Sequence, residues 1–80
     1  VDLNNKYFIV VASFSVEEYA ITMKYELMKQ GYKPQIFMLN NDGWNKLAIL
    51  SFNDFEEATR ELDRIKQKGD LFARARIVIK

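Results

Sequence analysis

The stretch KLAILSF at residues 46–52 decides how this chain is read, because a near copy, FIVVASF, stands at residues 8–14. Each is an apolar run closed by Ser-Phe and followed by a segment with helical spacing, and the two lie 38 residues apart. The offset recurs downstream in Ala20 and Ala58, Leu27 and Ile65, and Gly31 and Gly69. The chain therefore reads as two copies of one strand-helix-strand unit.

Within each copy the local chemistry is familiar. The first helix is expected to start at Ser15, with Glu18 at capping-box spacing, and to bury Val16, Tyr19, Ala20, Met23 and Leu27 along one stripe. Gly31 should end it in a left-handed conformation. In the second copy Asn53 and Glu56 repeat the start, Phe55, Ala58, Leu62 and Ile65 the stripe, and Gly69 the stop. Strands are expected over about 6–13, 34–39, 44–52 and 71–79, with NNDG at residues 40–43 turning between the middle two. With right-handed crossovers, the order βαββαβ predicts an α+β, ferredoxin-like domain: a four-stranded antiparallel sheet, strands 1 and 3 central, and both helices on one face. The other face is left open. Residues 1–5 read as the end of a linker and residues 6–80 as a single domain.

Lys46 sets which side chains use that open face. A lysine beneath two helices would cost several kcal/mol of desolvation, so Lys46 points outward and takes Trp44 and Ala48 with it, while Leu47 and Ile49 face the core. The repeat then sends Phe8, Val10 and Ala12 outward, as equivalents of Lys46, Ala48 and Leu50. In ARARIVIK (73–80) the arginines imply that Arg74, Arg76 and Val78 face out and Ala75, Ile77 and Ile79 face in. Gln35 favours itself and Phe37 for the open side. An exposed aromatic patch with cations results, and a contiguous patch of this kind marks an interaction face or one covered by a partner.

Composition narrows what such a face could do. Eighty residues build one core. Twelve basic and 11 acidic residues, net +1, supply no global field to gather nucleic acid or anionic lipid. There is no histidine to activate Ser13 or Ser51 and no cysteine to serve as nucleophile or disulfide partner. The first-turn glutamates Glu17, Glu18, Glu56 and Glu57 fit helix starts better than acid/base catalysis. Asp42, Asp54, Asp63 and Asp70 lack calcium-loop spacing, so neither a metal nor a cofactor is expected. The chain begins at Val1 without a signal-like run, which suggests a piece of a longer polypeptide.

YFIVVASFS (7–15), NNDGWNK (40–46) and the two strand-helix repeats resemble the SPOR domain, a bacterial cell-envelope module. The likeness runs from about Lys6 to Ile79, nearly the whole single-domain stretch. It implies a non-catalytic module that binds septal peptidoglycan through the open sheet face, prefers glycan strands stripped of stem peptides, and resides in the periplasm or cell envelope. Carried over by residue, the family's tryptophan after the turn falls on Trp44, its basic residue on Lys46 and its serine on Ser13. The pattern departs where Val10 stands for a frequent glutamine, Ala12 for a glycine, and Leu50-Ser51 for Gly-Pro.

The expected glycan-binding set is thus Trp44, Lys46, Phe8, Val10, Ser13, Phe37, Arg74 and Arg76. An indole can cover the flat C–H face of a pyranose. Removing the stem peptide from N-acetylmuramic acid frees a lactyl carboxylate that a cation can read. Trp44 could instead only buttress the hairpin, Arg74 and Arg76 could only solubilise an edge strand, and Phe8 and Phe37 could simply pack together. Two other functions compete. An RNA-recognition module shares the topology but needs aromatics where this chain has Leu47 and Ile49. A dimerisation domain would bury the open face against a second copy, whereas the glycan reading expects a monomer with neither nucleic acid nor membrane as partner.

Overall fold

The computed structural model describes residues 1–80. The elements follow the order β1 (Tyr7–Phe14), α1 (Glu17–Lys29), β2 (Gln35–Phe37), β3 (Asn45–Phe52), α2 (Phe55–Lys66) and β4 (Arg76–Ile79), with a 3-10 turn at Asp70–Phe72 before the last strand. The four strands form one antiparallel sheet in the order β2-β3-β1-β4. This is the α+β ferredoxin-like arrangement that the repeat implies. The two central strands have eight residues each, the edges only three and four. Short edges offer little template for pairing with another chain.

Two apolar clusters lie on opposite faces of the sheet. Ile9, Val11, Leu47 and Ile49 meet Leu27 of α1, Ile65 of α2, and Phe72 and Ala75 on the helix-covered side. Phe8, Val10 and Ala48 form a smaller cluster on the outer side, joined by Val1, Leu3, Phe37 and Val78. Complete burial of one such large side chain is worth about 1.5–3 kcal/mol, so both layers contribute to stability.

Bulges at matching places shift the alternation in the central pair. Ile9 pairs with Leu50 but Val10 with Ala48, which leaves Ile49 extra in β3; Ala12 then pairs with Leu47, which leaves Val11 extra in β1. The two unpaired residues are 38 apart, so the repeat extends to the irregularities. The bulges correct two sequence expectations. Leu50 packs against the main core instead of facing out, and Ala12 lies opposite the core residue Leu47. Beyond the bulge in β1 the alternation resumes one residue out of phase, which brings Ser13 onto the outer face opposite Lys46.

The helix ends differ in similar detail. Gly31, at φ 94°, closes α1 with paired hydrogen bonds from Tyr32 to the Leu27 carbonyl (3.2 Å) and from Gly31 to that of Met28 (3.0 Å), the Schellman pattern. Gly69 does not end α2; it precedes the 3-10 turn that carries Phe72 into the core. The helix starts also move. Val16 is the N-cap residue of α1, without a side-chain bond, so Ser15 makes no capping box. Asp54 caps α2 by accepting from the Glu56 amide at 3.1 Å. The expected cap, Asn53, is engaged elsewhere, accepting from the Lys6 amide at 3.0 Å.

Several stripe residues are exposed as well. Tyr19 lies on solvent and the stripe of α1 reduces to Ala20, Met23 and Leu27. Phe55, half-exposed at the first turn of α2, stacks edge-on to Tyr7 at 5.5 Å between ring centres. In the last strand Ile79 is exposed at the end of a sheet edge, opposite Tyr7, where an inward position was expected.

Candidate functional site

Ser13 and Lys46 face each other across the central strands, and the neighbouring groups assemble around them. Arg76, the first residue of β4, pairs in register with Val10 and donates from Nη2 to the Ser13 Oγ at 3.0 Å. On the other side Lys46 Nζ donates to Asp42 Oδ2 at 2.9 Å. Asp42 Oδ1 accepts from the Trp44 amide, also at 2.9 Å. One carboxylate thus fixes both the lysine head and the backbone that carries the indole.

The turn between β2 and β3 makes this geometry possible. Asn40 and Asn41 both adopt positive φ, 52° and 53°, and the Asp42 amide donates to the Leu39 carbonyl at 3.0 Å. Two successive left-handed residues suit asparagine because its short amide tolerates that region. Gly43, at φ 85°, then turns the chain so that Asp42 lies back over its own successors. Asn45, itself buried, ties the start of β3 to the end of β1 through Nδ2 and the Phe14 carbonyl at 3.1 Å.

Electrostatically the lysine is committed. Its side chain is only 10% exposed, and the Asp42 carboxyl is held below the usual carboxylate range by the Lys46 hydrogen bond first and the Trp44 amide second. Arg76 is exposed and makes no ion pair, and the same holds for Arg74, which sits in the turn before β4 and not on the strand. The cations available to a ligand at this end are therefore the arginines.

Phe37 and Gln35 point outward as expected, opposite Lys46 and Ala48. Phe8 and Val10 also lie on the outer side, but the structure corrects their expected accessibility: both are fully buried. Phe37 leans on the Phe8 ring at 4.8 Å, Val78 closes the far flank, and residues 1–5 lie over the middle. That segment is tied to the sheet by hydrogen bonds. The Asp2 amide and Asn5 Nδ2 both donate to Ser51 Oγ, at 3.0 and 2.9 Å, and Lys80 Nζ donates to the Leu3 carbonyl. Apolar Val1 and Leu3 within a polar run were the sequence signal for this cover. Asp42 was missed too, although an acid four residues before Lys46 was there to be read.

The outer face thus divides into a covered half around Ser51 and an accessible half around Ser13, where Trp44 stands 49% exposed. The SPOR domain family model matches residues 3–75 of the chain. The chain belongs to the SPOR family. SPOR domains are peptidoglycan-binding modules of bacterial cell-division proteins, a binding and not a catalytic family. Comparisons with curated proteins and with solved structures returned no match. No helix is long and apolar enough to cross a membrane.

Proposed function

We propose that this SPOR domain holds glycan strands lacking stem peptides at the Ser13 end of the outer face, without turning them over, and thereby directs the protein that carries it to the division septum in the cell envelope. The observation that carries this reading is a pair of hydrogen-bonded groups, Trp44–Asp42–Lys46 and Ser13–Arg76, set side by side by the pairing of Ser13 with Lys46, one offering an exposed indole and the other an exposed guanidinium. Trp44 would cover the C–H face of a sugar ring. Arg76 would read the lactyl carboxylate that amidases uncover, with the Ser13 hydroxyl beside it and Arg74 nearby in the preceding turn. Lys46 acts at one remove: neutralised by Asp42, it holds the turn and leaves anion recognition to the arginines.

The competing readings lose support in the same geometry. A dimer through the open face would need Phe8 and Val10, which the chain's own first residues already cover. An RNA-recognition surface would need the side chains at positions 47 and 49, which are 0% and 2% exposed within the core.

Cosedimentation with purified peptidoglycan, with and without amidase pretreatment, tests the proposal. Wild-type protein should pellet more with the treated sacculi, and Arg76→Ala should lose most of that enhancement. Folded protein that pellets with neither preparation would overturn it.

A further inference from the structure

We propose that residues 1–5 form a wall across the outer face, so that the domain engages a short segment of glycan at the Ser13 end and not a strand running the length of the sheet. This rests on the glycan reading above. The wall is compact, because the Asn5 amide donates to the Asp2 carbonyl (3.2 Å) and the Asn4 amide to Asp2 Oδ1 (2.9 Å), folding residues 2–5 into a turn. Leu3, itself partly buried, packs with Val1 onto Phe8, Val10 and Ala48, each fully buried.

Its anchors come from three parts of the chain. Ser51 in β3 receives two donors, Asn53 before α2 receives the Lys6 amide, and Lys80 beyond β4 donates to the Leu3 carbonyl. A saccharide advancing past Ser13 would have to break these bonds together and uncover an apolar surface whose ring, Phe8, also sits under the Lys80 ammonium at 5.9 Å. A sugar edge rich in hydroxyls and amides offers that surface poor compensation. Leu3 is therefore a specificity residue that sets the length of ligand accommodated.

Calorimetric titration with peptide-free oligosaccharides of N-acetylglucosamine and N-acetylmuramic acid, from disaccharide to octasaccharide, tests this. Wild-type affinity should level off at the shortest oligosaccharide that binds. Leu3→Ser, and independently Ser51→Ala, should loosen the wall from two sides, and their affinity should continue to rise with length by about fivefold or more, the weight of one net hydrogen bond. Thermal melts establish that each variant is folded. Wild-type affinity that climbs with length as steeply as the variants, or folded variants that level off as the wild type does, would overturn the wall while leaving the glycan reading intact. No binding of any oligosaccharide by any of the three proteins would overturn both.

Discussion

Ser13 and Ser51 occupy the same place in the two repeats, and their hydroxyls meet opposite fates. Ser51 accepts two hydrogen bonds from the chain's own first residues, beneath which Phe8, Val10 and Ala48 are sealed. Ser13 accepts one, from an exposed arginine, and pairs across the strands with Lys46, whose partner Asp42 also holds the amide of the half-exposed Trp44. The backbone plan is duplicated down to its bulges, yet the surface it presents is not. A repeat guarantees equivalent positions; what occupies them depends on neighbours the two copies do not share, here residues 1–5 over Ser51 and Arg76 against Ser13.

The largest expected effect separates the halves by stability. Phe8→Ala removes a fully buried ring from the covered half and should lower the unfolding free energy by about 3–5 kcal/mol, measured by urea denaturation. Trp44→Ala, at an exposed site, should change stability by less than about 1 kcal/mol. Its glycan binding should nonetheless fall about tenfold or more, the weight of about 1.4 kcal/mol of lost stacking, in the cosedimentation assay. If the two variants lost stability equally, the division of the face would be wrong.

The paired serines sharpen the comparison. Ser51→Ala removes the acceptor of two hydrogen bonds, one of them part-buried, and should cost about 1–2 kcal/mol in thermal or urea unfolding. Ser13→Ala gives up one exposed contact to Arg76 and should stay within about 0.5 kcal/mol, while weakening binding. Reversal of that order in stability would mean that the arm contributes nothing.

Much of this was legible from the residues, for reasons that can be named. Alternation around Lys46 and the arginines fixed the outward parity of Lys46, Ala48, Arg76 and Val78, because charged side chains are costly under helices, and Gln35 favoured the same side for Phe37. The bulges at Val11 and Ile49 left no such trace: in strands apolar at nearly every position, a slip of one residue puts nothing polar in the wrong layer. The caps went astray because neighbouring oxygens compete for the same amides, and Asp54 took the role assigned to Asn53. The cover was hidden for a different reason. Two apolar residues in VDLNN have no periodicity, and the anchors of their segment lie 49 and 77 residues away at Ser51 and Lys80.

The smallest expected effect concerns pH, and it follows from the Asp42 contacts. A carboxyl whose folded pKa lies below its ordinary value of 3.8 adds stability that is fully present above 3.8 and is lost as pH falls through the folded value. The Lys46 bond, the main cause of that depression, therefore weakens only in strong acid. Asp42→Asn should erase this acid limb, because the amide still accepts from the Trp44 backbone but offers Lys46 no charge to lose. At neutral pH the wild-type carboxylate is ionised, and the chain has no histidine to titrate there. Glycan affinity should accordingly stay within about twofold from pH 5 to 8, measured by titration at constant ionic strength. A steeper change would assign recognition to a group that titrates in this range, and would remove Arg76 from the centre of the site.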